Sequence, residues 1–186
     1  MSRSEETRRR LQEEAIRLFT TRGFDDVTVE EVARAAGVSH MTFFRNFPTK
    51  EAVVLDDPYD PLLGAAVSAQ DDSLPPLERV RRGVLEAWDH VEEPGDEMTR
   101  ARIELAAAHP GLRARVWENN RTTEQVIVDA LTTSGVPALD ARIAAGAALG
   151  ALTAALFDWA DNLTGDSLGD RVRRAMHLLA SVEASR

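Results

Sequence analysis

The chain contains no cysteine in its 186 residues, which removes disulfide frameworks, thiolate zinc sites and thiol nucleophiles together and suits a reducing cytoplasm, the expected location. It also has no HExxH pair, no GxSxG elbow and no glycine-rich phosphate loop, and its four histidines are scattered. These gaps point away from an enzyme and toward a chain that needs no cofactor and no metal. No apolar stretch precedes Leu11, so neither a signal peptide nor a lipidation motif is expected. The longest apolar run, residues 143–157, is mostly alanine and glycine and falls short of the ~20 residues that cross a bilayer. With Asp140, Arg142, Asp158 and Asp161 around it, the run reads as a buried helix with no membrane partner.

An excess of positive charge is missing too: the formal net charge is −9, the wrong sign for neutralising phosphates. Its distribution matters more than its sum. Residues 1–55 balance nine basic against nine acidic side chains, so the whole deficit lies in the remainder. An acidic body behind a neutral head would orient the head toward a polyanion; it would equally serve solubility alone. The 44% apolar and 28% charged composition is that of a compact globular protein.

What is present is helical periodicity. Leu11, Ala15, Leu18 and Phe19 mark one face of a helix over residues 7–22, stopped by Gly23. Thr28-Val29-Glu30-Glu31 has the form of a capping box, starting a second helix that Gly37 ends. Ser39 caps a third over 40–47 and Thr49 a fourth through residue 55, with the prolines at 58 and 61 as terminators. The stretch 56–61 is the expected boundary between head and body. Beyond it, Val80, Val84, Trp88 and Val91 form a stripe broken at Pro94-Gly95, and further helices fit 98–107, 110–132, 140–161 and 167–184. No strand is expected, so the fold class is all-α.

Two short helices joined by the tight turn Gly37-Val38-Ser39 have the outline of a helix-turn-helix, whose second helix enters the major groove. If the third helix runs from His40, Phe43 and Phe47 face inward, while His40, Met41, Phe44 and Asn46 project outward. Ser39 and Thr42 at its first turn and Thr28 at the preceding cap offer hydroxyls to phosphate, although Thr28 is a cap with or without DNA. His40 and Asn46 suit base edges, and Met41 and Phe44 suit thymine methyls or the sugar backbone. Lys50, the only lysine, reads either as a phosphate contact or as a surface partner of Glu51 or Asp26. Arg8, Arg9 and Arg10 read equally as a basic arm and as solubilising charges.

The string Gly23-Phe24, Thr28-Val29-Glu30-Glu31-Val32-Ala33, Gly37-Val38-Ser39 and Thr42-Phe43-Phe44-Arg45-Asn46-Phe47-Pro48-Thr49-Lys50-Glu51-Ala52 resembles the TetR family of regulators over essentially all of residues 7–55. The resemblance implies a three-helix DNA-binding head in residues 1–55 and a larger ligand-binding and dimerisation body in 56–186. It also implies a homodimer formed through the last two helices, and a palindromic double-stranded operator from which a small, largely apolar effector releases a repressor. One departure is Phe44, at a position commonly tyrosine in the family, where a hydroxyl would reach phosphate.

In the body, Ala144, Ala145, Ala147, Ala148, Ala151, Ala154 and Ala155 with Gly146 and Gly150 allow another helix to approach closely. Trp88, Met98, Leu105, Trp117 and Phe157, with Arg102 for an anionic end, are the candidate ligand-binding residues; the same side chains serve equally as ordinary core. Residues 100–114 look like an actinobacterial subgroup whose sensors accept acyl-type or other long apolar molecules.

Overall fold

A computed structural model describes residues 3–56, 60–90, 97–162 and 166–181. Its elements are α1 (Arg3–Arg22), α2 (Val29–Ala35), α3 (His40–Asn46), α4 (Ala52–Leu55), α5 (Asp60–Ser68), α6 (Pro76–Asp89), α7 (Glu97–Ala108), α8 (Pro110–Thr133), α9 (Ala138–Asp161) and α10 (Leu168–Ser181). The described residues contain helices and no strand, in keeping with the all-α expectation. The expected breaks at Pro94-Gly95 and Thr164-Gly165, and the positions of Pro58, Tyr59, Val91, Val182 and Ala184, lie outside the described residues.

Two helices differ from the sequence reading. Helix α1 starts at Arg3 rather than residue 7, about one turn earlier. Helix α5 occupies part of a stretch expected to break helices. Pro61 stands in its first turn, where the missing N–H has no helical acceptor to lose, so the proline starts this helix instead of stopping one.

The chain divides into two compact units: Met1–Asp56 with Asp96–Val116, and Asp57–Gly95 with Trp117–Arg186. The first has a core of Leu11, Ala15, Ile16 and Phe19 from α1, Val32 and Ala33 from α2, Phe43 from α3 and Val53 and Val54 from α4. Ala106 of α7 and Leu112 of α8 complete it. The turn between α2 and α3 closes with the Val38 N–H donating to the Ala33 carbonyl and the Gly37 N–H to that of Arg34. That closure needs a left-handed residue at position 37, and Gly37 has φ +66°. The start of α2 is fixed by a reciprocal cap: the Glu31 N–H donates to Thr28 Oγ1 at 3.2 Å and the Thr28 N–H donates to Glu31 Oε2 at 2.8 Å.

In the second unit α9 packs on α6 and α10, and α5 packs on α6. The α5–α6 approach is close because position 83 has no side chain: a Cβ on Gly83 would lie 2.8 Å from the Val67 backbone N and Cα. Helix α9 buries Ala141, Ala144, Ala145 and Ala148. Gly146 and Gly150, on another side of it, have no atom within 4 Å of an added Cβ. The alanine-rich surface read from the sequence is thus two surfaces, one internal and one open.

Gly83→Ala is expected to cost about 1–3 kcal/mol, the usual range for overpacking, because backbone rather than a flexible side chain blocks the new methyl. Thermal melts of the variant and the unaltered protein measure the difference. A second expectation concerns acid. The Thr28 N–H first, then the Arg22 guanidinium at 2.8 Å, hold the Glu31 carboxyl down from 4.5 to about 2. A carboxyl depressed in the folded state contributes stability above its unfolded value of about 4.5 and loses it as pH falls toward 2. Glu31→Gln should therefore be less stable than the unaltered chain at neutral pH, with the difference closing between pH 4.5 and 2. Glu78, lowered to about 2 by Arg81 and then Arg82, contributes to the same acid limb in both proteins and leaves that difference intact.

Candidate nucleic-acid interface

Helix α3 is short, and its orientation follows from which side is buried. Phe43 and the adjoining Phe47 are wholly buried, while Met41 is 75% and Phe44 40% exposed. Ser39 caps the helix, its Oγ accepting from the Thr42 N–H at 3.1 Å and lying 2.9 Å from Thr42 Oγ1. His40 is exposed, with Nε2 facing Glu30 Oε1 at 3.0 Å and its ring edge-on to Phe44 at 4.7 Å. Ser39, His40, Met41 and Phe44 therefore share one end of an open surface, with Thr28 exposed at the start of α2.

Two expected contacts sit differently. Asn46 is half-buried; its amide donates to the Thr42 carbonyl at 2.7 Å and its own carbonyl accepts from Arg8, so it does not project freely. Lys50 turns inward. Its ammonium lies 4.3 Å from the Phe24 ring centroid and 5.5 Å from that of Phe19, and it donates to the Phe24 carbonyl. A strongly hydrated cation accepts such a place because two aromatic faces and a carbonyl replace water. Lys50 also lies outside α4, where Thr49 Oγ1 accepts from the Ala52 N–H.

Arg8 is likewise committed inward: its guanidinium lies 4.2 Å over the Phe47 ring and pairs with Asp56. Arg9 pairs with Glu13, Arg17 with Glu14 and Arg22 with Glu31. Arg10, Arg34 and Arg45 are exposed and enter no ion pair among the described residues. Arg45 was the overlooked candidate; it follows Phe44 on the helix whose opposite side carries Phe43, and that alternation was the available signal.

The six candidate ligand residues divide between the two units. Met98 and Leu105 pack against the core of the first unit, and Arg102 Nη1 donates to the Asp56 carbonyl at 3.1 Å. Trp88, Trp117 and Phe157 belong to the second unit, where Trp117 is 58% exposed. The apolar spacing that suggested a pocket lining served, for Met98 and Leu105, to complete the head's core.

The second unit does contain an open cleft of about 620 Å³, bordered by Gly64, Ala65 and Ser68 of α5, Arg79 of α6, and Val126 and Ala130 of α8. None of the six candidates lines it. Arg79 is buried, its Nη1 donating to Ser134 Oγ at 2.7 Å and its Nη2 lying 2.9 Å from Asp72 Oδ1. The sequence held a signal for this residue: Arg79 falls on the same side of α6 as the buried Val80, Gly83, Val84 and Ala87, where a charge has no ordinary reason to be.

Comparison with known proteins places this arrangement. Residues 11–56 match the family model described as bacterial regulatory proteins, tetR family, and residues 74–184 match that of the MftR C-terminal domain. The HTH-type transcriptional regulator EthR of Mycolicibacterium smegmatis is 41% identical over 75 residues, 38% of this chain and 34% of that protein. TcmR of Streptomyces glaucescens, also an HTH-type transcriptional regulator, is 32% identical over 131 residues, 63% of this chain and 55% of that protein. The chain thus spans between about a third and just over half the length of these curated relatives. Among solved structures, a SmeT–triclosan complex superimposes with a TM-score of 0.63 at 18% identity, covering 95% of this chain and 91% of that one. Thermus thermophilus FadR in complex with lauroyl-CoA gives 0.52 at 22%, covering 93% of both. A model of the family's DNA-binding head and a C-terminal model spanning more than half the residues together make this chain a member of the TetR family of bacterial regulatory proteins.

Proposed function

We propose that the protein is a transcriptional repressor that binds a palindromic operator as a cytoplasmic homodimer and leaves it when a small, largely apolar ligand, of acyl type, occupies its body. The observation that carries the DNA reading is the open side of α3: a helix anchored by a buried Phe43 holds out Met41 and Phe44, two large apolar side chains that gain nothing from water. In a major groove they meet thymine methyls and sugar carbons, with His40 beside them for a base edge. Ser39, Thr42 and Thr28 serve phosphates through their hydroxyls. Arg45 and Arg34 take the cationic role that Lys50, turned inward, leaves open, and Asn46 steadies the end of α3.

Two-fold pairing through α9 and α10 is supported by what they leave uncovered. Leu139 is 65%, Ile143 61% and Leu178 62% exposed, beside the open Gly146 and Gly150. Helix α9 is the one helix among the described residues long and apolar enough to cross a membrane, and it buries an alanine face inside its own unit. A partner helix on the remaining face accounts for both properties without lipid. The effector reading draws on the solved FadR and SmeT structures, which hold lauroyl-CoA and triclosan. Release follows if the occupied body favours a different spacing of the two recognition helices, since successive major grooves lie ~34–36 Å apart.

Duplexes selected from a random pool should carry an inverted repeat. Met41→Ala, Phe44→Ala and His40→Ala should each weaken that duplex by about 1–3 kcal/mol, while circular dichroism stays unchanged because all three side chains are exposed. Undiminished selection by the triple variant overturns the DNA reading. Replacing Ile143 and Leu178 together by aspartate should convert the dimer to a folded monomer in sedimentation analysis, with operator affinity falling alongside; a persisting dimer removes α9 and α10 as the interface.

A further inference from the structure

We propose that the cleft between α5, α6 and the C-terminal half of α8 binds an organic monocarboxylate, whose carboxylate takes the place of Asp72 on the buried guanidinium of Arg79.

The case begins with donors that have nothing to donate to. Arg79 is 1% exposed, and a guanidinium carries five N–H groups. One well-formed hydrogen bond serves it, from Nη1 to Ser134 Oγ; that hydroxyl donates in turn to the Leu131 carbonyl at 2.8 Å, so its oxygen is held ready to accept. Nε and Nη2 are buried with no hydrogen-bond partner. Asp72 Oδ1 stands 2.9 Å from Nη2 yet outside hydrogen-bonding geometry, so it supplies charge without satisfying the donors. Leaving charged donors unpaired away from water is costly, and the group that relieves the cost is an acceptor-rich anion meeting the guanidinium in its own plane.

Asp72 is suited to yield. Its side chain is 69% exposed on the loop between α5 and α6, so it returns to water with little penalty. Asp71 beside it does not compete, because its carboxylate already accepts from the Ser73 N–H at 2.8 Å. The space exceeds what an ordered water needs: about 620 Å³ lies within the range of small-molecule sites. Ala65, Val126 and Ala130 give it apolar walls for a hydrocarbon or aromatic body.

The rim narrows the chemistry further. Asp129 borders the cleft, its Oδ1 accepting from Gln125 Nε2 at 2.7 Å, and Asp72 stays nearby once displaced. Two rim carboxylates around one arginine repel a multiply charged anion such as a phosphate ester and tolerate a single negative charge carried to the depth of Arg79. The regulatory consequence of this site rests on the effector reading above, whereas binding itself does not.

The full-length protein is titrated calorimetrically with octanoate and benzoate, with 1-octanol and benzyl alcohol as uncharged counterparts and octylamine as the opposite charge. Saturable binding is expected for the carboxylates, with the alcohols roughly tenfold weaker or more, since hydrogen bonds to a charged group are what they lose. Asp72→Asn, an exposed substitution that keeps the loop, should tighten carboxylate binding several-fold by removing the resident competitor, and Ala130→Phe should abolish it by filling the cleft. Alcohols or octylamine binding as well as octanoate, an Asp72→Asn affinity equal to that of the unaltered protein, or an Ala130→Phe variant that still binds would each overturn the site. Operator affinity measured alongside separates the two readings. Cleft binding without any change in operator affinity sustains the site and removes the effector reading, and operator binding with no carboxylate bound removes the site and leaves the regulator.

Discussion

Burial of Phe43 and Phe47 is the interaction on which the presentation of α3 depends. A seven-residue helix has no stability of its own in water, because nucleation consumes most of what its few hydrogen bonds return. Its position is fixed by these two rings, each worth roughly 1.5–3 kcal/mol of burial, set into a core that α1, α2 and α4 supply. Arg8 then seals the arrangement from outside, stacked on Phe47 and bound to the Asn46 carbonyl and Asp56. A charge that reads in sequence as a possible arm for DNA is therefore part of what holds α3 still.

The same economy governs the head's other cations. Nine basic residues in the first 55 suggest a modest electrostatic grip, and five of them are committed to partners within the head: Arg8, Arg9, Arg17, Arg22 and Lys50. Phe24 takes Lys50 on its ring, and the imidazole of His109 lies 4.9 Å away from it. His109 Nδ1 accepts from the Leu112 N–H while Nε2 lies 3.2 Å from Asp25, so the start of α8 and the turn before α2 meet at one aromatic residue. With few cations left for phosphate, the proposed DNA reading leans on fit and on the exposed apolar pair Met41 and Phe44, a balance that favours a particular sequence over indiscriminate adhesion.

Much of the head was legible because short-range chemistry decides it. The Thr28–Glu31 box, the Gly37 turn, the Ser39 cap and the alternation of Phe43 with Phe44 each depend on residues within five positions of one another. What was not legible depends on distant partners. Nothing near Lys50 announces that Phe19 and Phe24 will wait beneath it, and nothing near Met98 or Leu105 says that the core they complete belongs to α1 through α4. Pro61 was misread for a related reason: a proline stops one helix or starts the next, and only the packing of the following residues chooses. Arg79 lay in plain sight within an apolar face, but a period search for hydrophobic residues passes over the charge that interrupts it.

That buried charge also bears on how much a ligand can do. Moving a two-state equilibrium from one part in a hundred to ninety-nine requires about 5.5 kcal/mol of differential affinity between the states. Apolar contact alone supplies it only by burying a long chain, at roughly 0.8 kcal/mol per methylene. Hydrogen bonds from a guanidinium whose donors already lack partners contribute about 1.5–3 kcal/mol each, so two of them with a short apolar body reach the same total where they form in one state only. Helix α8 contributes Leu112 to the head's core and Val126 and Ala130 to the cleft. On the proposed reading the unsatisfied arginine is worth more to discrimination between ligands than to stability: filled by an aliphatic side chain the unit would fold as well, and the cleft would have nothing with which to tell one occupant from another.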